Sequence, residues 1–184
     1  MKRMIFAILI SVFAATGLGA AELGDDGLHK THWMRDTFLD LREDLEEANA
    51  EGKRLAVIIE QRGCIYCTKM HNDVFPAPEI DSIISENFFV VQLNMFGDRE
   101  VTDFDGTVMS EKEIMFRWGV NFTPSLMFFP NEVPEGLNAS QAAVAQMPGA
   151  FGKATTLATF EWILMEGYDK GISLQKHVQS KFSN

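Results

Sequence analysis

The sequence predicts an α/β domain: a central mixed sheet, helices on both faces, and a small insertion after the second strand. Three observations predict it. Short, continuous apolar runs at 55–59, 88–93 and 125–129 have the length and the β-branched or aromatic content of strands buried on both faces. Segments with apolar residues three and four apart lie around them, the spacing of one helix face. Their order is helix, strand, helix, strand, helix, strand, weak strand, helix. That alternation calls for parallel neighbours near the start, joined by right-handed crossovers.

Each element has its own signal. Across 33–50, Phe38, Leu41, Leu45 and Ala48 form one apolar stripe, so the spacing predicts a helix there, ended by Glu51, Gly52 and Lys53. The strand at 55–59 leads directly into Cys64 and Cys67, and the chain continues as helix from Thr68 to about Val74. Pro76 and Pro78 interrupt, a short helix covers 79–87, and the strand at 88–93 follows. The polar insertion at 94–110 carries Asp105-Gly106, a hairpin turn signal. Ser110 with Glu113 predicts a capping box for a helix to Trp118, which Gly119 ends. After Thr123-Pro124 comes the third strand. The stretch 130–152 yields only a weak strand near 143–147 and is long enough for a lid or client-binding element. Helices are expected at 156–168 and 172–182. There is no internal repeat, low-complexity tract or linker.

The first residues address compartment. Met1, Lys2 and Arg3 precede an apolar run to about Leu18, closed by small residues through Ala21. This is the three-part pattern of a cleaved export signal at 1–21, leaving one domain at 22–184 in an oxidising space, the periplasm. An uncleaved anchor is the competing reading, but a spanning helix needs roughly 20 apolar residues. The net charge of −10 offers no electrostatic basis for binding nucleic acid or an anionic membrane. A monomer is expected.

The two cysteines carry the chemistry. A bridge across two intervening residues closes a tiny loop and removes little unfolded-state entropy, so stability is a poor reason for the pair. At a strand-to-helix junction, Cys64 sits where unpaired backbone N–H groups and the helix dipole stabilise a thiolate, while Cys67 lies a turn further in. Cys64 is the expected nucleophile and Cys67 the resolving thiol. Metal binding by Cys64, Cys67 and His71 is the rival. A structural zinc site usually takes four protein ligands and no second cysteine pair exists, so no resident metal is expected. His71 is read as a partly exposed helix residue, Glu60 as a solvated strand end, and His29 and His32 as a flexible start. The phenylalanines, scattered methionines and three tryptophans are read as packing.

Strand, Cys64-Ile65-Tyr66-Cys67, helix, strand, helix, Thr123-Pro124 and strand, over roughly 33–168, together resemble the thioredoxin superfamily. More narrowly, the chain is similar to periplasmic thioredoxin-like proteins of the SoxW/SoxS type, found with sulfur-oxidation systems. Lys69 after the cysteines, the Pro76 to Glu79 stretch, the run from Phe88 to Val91 and the segment from Gly119 to Pro124 carry that likeness. The resemblance implies a thioredoxin fold and a Cys64–Cys67 redox-active disulfide with no other cofactor. It further implies a cis Pro124 beside the disulfide, and a client groove shaped by Tyr66, Thr123 and Pro124.

As function it implies a reductase of disulfides or cysteine sulfur adducts on exported clients, with a membrane thiol transporter of the DsbD/CcdA type as electron donor. A copper- or zinc-carrying metallochaperone on the same cysteines, and a disulfide oxidant or isomerase, remain alternatives. Two departures stand out. Gly63 occupies the position of thioredoxin's tryptophan, and Ile58 that of its buried acid. The proton relay assigned to that acid therefore cannot be carried over. Tyr66 is closer to glutaredoxins and to periplasmic isomerase or reductase modules.

Overall fold

The computed structural model describes residues 22–182; the expected export signal at 1–21 lies outside them. The chain opens with a two-residue hairpin, β1 (Glu22–Leu23) and β2 (His29–Lys30), followed by β3 (Met34–Arg35) and α1 (Leu41–Ala50). Next come β4 (Arg54–Glu60) and α2 (Ile65–Lys69), which continues as a π turn over Met70–Val74, then α3 (Pro78–Asn87) and β5 (Phe88–Asn94). The insertion is the hairpin β6 (Glu100–Thr102) and β7 (Val108–Ser110). The remainder is α4 (Glu111–Trp118), β8 (Ser125–Phe128), α5 (Ala139–Ala142), β9 (Ala145–Pro148), α6 (Lys153–Leu164) and α7 (Leu174–Ser180).

The main sheet runs β3-β5-β4-β8-β9, parallel on the β3-β5-β4 side and antiparallel on the β4-β8-β9 side. It is the predicted mixed sheet with layers on both faces. Alternation along β4 divides the core. Leu55, Val57 and Ile59 pack with residues of α1 and α4, whereas Ala56 and Ile58 pack with the π turn, α3 and α6. On the second side Phe88, Phe128 and Phe160 meet edge to face, with ring centroids 4.7–5.9 Å apart, an arrangement that adds to plain area burial. No helix among the described residues is long and apolar enough to cross a membrane.

The first helix is shorter than the periodicity predicts. It begins at Leu41 because Asp40 caps it, its carboxylate accepting from the backbone N–H groups of Arg42 and Glu43. Phe38 lies outside the helix and is 95% exposed, so it is no part of the apolar stripe. Residues 34 and 35 form an edge strand, with Met34 opposite Val90. The capping box at Ser110 and the left-handed Gly119 at the end of α4 are as expected. The last two helices occupy 153–164 and 174–180, their bounds differing by two to four residues from those expected.

The stretch 130–152 is packed, not a free lid. Val133, Ala139 and Ala142 are buried in the α1/α4 core, and β9 closes the sheet edge. Asp103 anchors it: one carboxylate oxygen accepts from the N–H groups of Ala139 and Phe104, the other from Trp118 Nε1 and Arg117 Nη1. Replacing Asp103 by Ala removes the acceptor for all these buried donors and should destabilise the fold by about 3 kcal/mol or more, read as a lower urea midpoint.

Asp44, 3% exposed on α1, has no such set of donors. Burial pushes its carboxyl up to about 7; a Thr37 hydrogen bond opposes the shift, while Asp40, Glu47 and Glu43 add to it. The folded state thus holds a proton that the unfolded chain gives up near the ordinary value of 3.8. Stability should be fullest below about pH 4 with respect to this group, and fall as pH rises toward 7. Urea denaturation at pH 4 and pH 8 checks this: Asp44→Asn should be near neutral at the lower pH and stabilising at the higher.

Candidate functional site

The site lies where β4 ends and β8 begins. Gly63 turns the chain with φ +72°, a left-handed conformation that glycine adopts without penalty. Cys64 then takes an extended conformation as the N-cap of α2, and its Sγ accepts from the Cys67 N–H at 3.0 Å. The cysteines form a disulfide, with S–S 2.16 Å and Cα–Cα 5.2 Å. Cys64 keeps 6% exposure and Cys67 has none, so an incoming group reaches Cys64 first. From the other side, Thr123 Oγ1 donates to Cys64 Sγ at 3.3 Å, and the Thr123–Pro124 peptide is cis. Tyr66 is 58% exposed beside the disulfide, next to the exposed Ile65, and Phe122 is exposed before Thr123. The structure thus brings Cys64, Cys67, Thr123 and Pro124 together, with Tyr66 at the rim.

A thiol at a helix N-terminus, holding a backbone N–H, is stabilised as thiolate, the form that attacks a disulfide. The fully buried partner has no such exposure. Burial therefore distinguishes the two thiols.

Comparison with known proteins agrees with this geometry. The model of the thioredoxin-like domain matches residues 41–159. The chain belongs to the thioredoxin-like family. Among solved structures, this thioredoxin-like chain is similar to a thioredoxin-fold protein from Helicobacter pylori, with TM-score 0.57 and 17% identity over 91% of this chain and 95% of that one. It is also similar to a thioredoxin from Thermus thermophilus, with TM-score 0.52 and 22% identity over 71% of this chain and 88% of that one. At these identities the likeness is one of fold. No curated protein matches the sequence significantly. Family membership and the Cys-x-x-Cys pair together support thiol–disulfide oxidoreductase activity.

A second polar group lies beside the disulfide of this thioredoxin-like chain, and here three sequence expectations are corrected. Glu60 is not a solvated strand end: it is fully buried at the end of β4, a strand covered on both faces, on the side of Ala56 and Ile58. His71 is 1% exposed and not a partly exposed helix residue. His29 is buried at 8%, not part of a flexible start, whereas His32 is exposed, 3.7 Å from Asp81. Glu60 Oε1 lies 2.9 Å from His71 Nε2, and its Oε2 accepts from Gln92 Nε2 at 2.7 Å. The His29 and His71 rings stack, with centroids 4.5 Å apart. Thr68 Oγ1 lies 3.3 Å from His29 Nε2 and donates to the Cys64 carbonyl at 3.2 Å, which joins this group to the disulfide. Burial holds His29 below its ordinary value, the neighbouring His71 adding to the shift and Glu60 opposing it.

Potential metal donors therefore group differently from the expectation. His71 sits with His29 and Glu60, the three offering ligand atoms within 4.8 Å of one another, and not with the cysteines. The period-two alternation from Ala56 through Ile58 to Glu60 was the available signal for Glu60. Nothing local marks His29, whose burial depends on α2 and the π turn packing against it.

At Gly63 a Cβ would meet open space, so any penalty there is conformational. Gly63→Ala should lower stability by about 1–2 kcal/mol through the left-handed φ alone, measured by denaturant midpoint.

Proposed function

We propose that this chain is a periplasmic thiol–disulfide reductase acting on disulfides or cysteine sulfur adducts of exported client proteins. The observation that carries the reading is the asymmetry of the pair: Cys64, at the helix N-cap, touches the Thr123 hydroxyl, while Cys67 is fully buried behind it. Cys64 thiolate attacks the client's sulfur, forming a mixed disulfide and releasing one client thiolate. Cys67 then attacks Cys64, restoring the Cys64–Cys67 disulfide and releasing the second thiolate. Tyr66, Thr123 and Pro124 shape the groove in which the client segment lies. The redox-active disulfide is the only cofactor this cycle requires.

The export pattern at 1–21 supports the periplasm as compartment. There, electrons come from a membrane thiol transporter of the DsbD/CcdA type, and the sulfur-oxidation subtype supplies the client class. Direction of flow depends on the potential of the couple, where 30 mV corresponds to about 1.4 kcal/mol. Equilibration in glutathione buffers should place the couple near about −270 mV for a reductant. A value near about −120 mV would make the protein a disulfide donor and overturn the direction.

The cysteine roles have their own test. Cys64→Ser should reduce turnover of a disulfide substrate to background. Cys67→Ser should accumulate a covalent client adduct that dithiothreitol releases. Failure to recover any adduct from export-competent cells would count against the exchange mechanism.

A further inference from the structure

We propose that His29, Glu60 and His71 form a binding site for a first-row divalent metal ion, separate from the cysteines. Two imidazoles and one carboxylate are the donor set that suits such ions, with a further position left for water. Their ligand atoms lie within 4.8 Å of one another, and all three residues are buried. The set spans two elements and the turn beside the disulfide: His29 on β2, Glu60 at the end of β4, and His71 in the π turn.

Charge is the first argument. The Glu60 carboxylate is fully buried, and the side chains bonded to it are an imidazole and the neutral Gln92 amide. Lys30 is the nearest cation in this network, but its ammonium stops at Gln92 Oε1, 2.7 Å away, and also pairs with Asp26. A buried carboxylate needs a counter-charge, which at this position is either a proton shared with His71 or a cation.

The second argument is independent of charge. His71 Nδ1 is buried without a hydrogen-bond partner, so the ring is held by Glu60 at Nε2 alone and an ion taking Nε2 displaces no other hydrogen bond of this ring.

Surrounding groups supply what a ligand shell needs. Gln92 fixes Glu60 Oε2 while also donating to the His29 carbonyl, and the Thr68 hydroxyl sits on His29 Nε2. Stacking sets one condition. The His29 and His71 rings are within 9° of parallel, so their in-plane lone pairs meet at one ion only after an imidazole turns about its Cβ–Cγ bond. His29 is the one placed to do so. It lies on a hairpin paired over two residues only, outside the main sheet.

Zn2+ is the probe, and the oxidised full chain is the protein to use, because the closed disulfide removes both thiols as ligands. Calorimetric titration at pH 7 should show one Zn2+ per chain. Proton NMR should show the imidazole resonances of His29 and His71 shifting while those of His32 and His177 stay in place. His29→Ala and Glu60→Gln should each weaken binding at least tenfold. His29 lies on the short hairpin outside the main sheet, so His29→Ala is the variant that remains informative if the buried Glu60 variant fails to fold. Absence of Zn2+ binding to the oxidised wild type would overturn the site, as would affinity unchanged in His29→Ala. Either result leaves the thiol-exchange reading standing, since that rests on the adducts of Cys64.

Discussion

The antiparallel register of β4 against β8, with Ile59 opposite Ser125, is the constraint on which the site depends. It brings the chain leaving β4 and the chain entering β8 to the same end of the sheet. The Cys64 turn and the cis Thr123–Pro124 peptide thereby become neighbours, although 59 residues separate the two side chains in hydrogen-bond contact. Parallel pairing with β5, where Glu60 faces Asn94, adds a third chain end to the same corner. Because β4 is buried on both faces, a slip of one residue would exchange its two core sides and move Glu60 to the wrong layer. Packing of the sheet and assembly of the site are therefore one requirement.

Within that corner, the two cysteines differ in environment though not in residue type. Gly63 supplies a backbone conformation that puts Cys64 outside the first helical turn, facing a backbone N–H and a hydroxyl. Cys67, inside the helix, faces the core with no exposure. Helix polarity favours charge on the first and burial opposes it on the second.

Four acids are buried among the described residues, and they meet the same electrostatic demand differently. Asp103 and Glu111 are surrounded by backbone or side-chain donors and each pairs with an arginine. Asp44 stays neutral well above the ordinary carboxylate range because burial dominates its surroundings. Glu60 has an amide and an imidazole, a weaker set than that of Asp103, and it is linked to the Cys64 carbonyl through the stacked His71 and His29 rings and the Thr68 hydroxyl. The first pair fixes the insertion and the 130–152 stretch to the core. Glu60 belongs instead to the polar group beside the chemistry.

The sequence by itself determined the order of the main helices and strands along the chain, the mixed sheet, the hairpin insertion, the capping of α4 and the Cys64–Cys67 pair. These follow from local rules: period of apolar residues, turn dipeptides, cap residues and a spacing of three. Only the tertiary structure decided which faces those elements present to one another. The true start of α1 at Leu41 follows from Asp40 capping and the pairing of Met34 with Val90. The docking of 130–152 follows from the Asp103 carboxylate, reached across 36 residues. The burial of His29, Glu60 and His71 required β2, β4 and the π turn to converge. Periodicity places Glu60 on the side of Ala56 and Ile58, but it carries no information about which partners a polar side chain finds on distant elements. Those partners, and with them the neighbours of the disulfide, exist only once the sheet has closed.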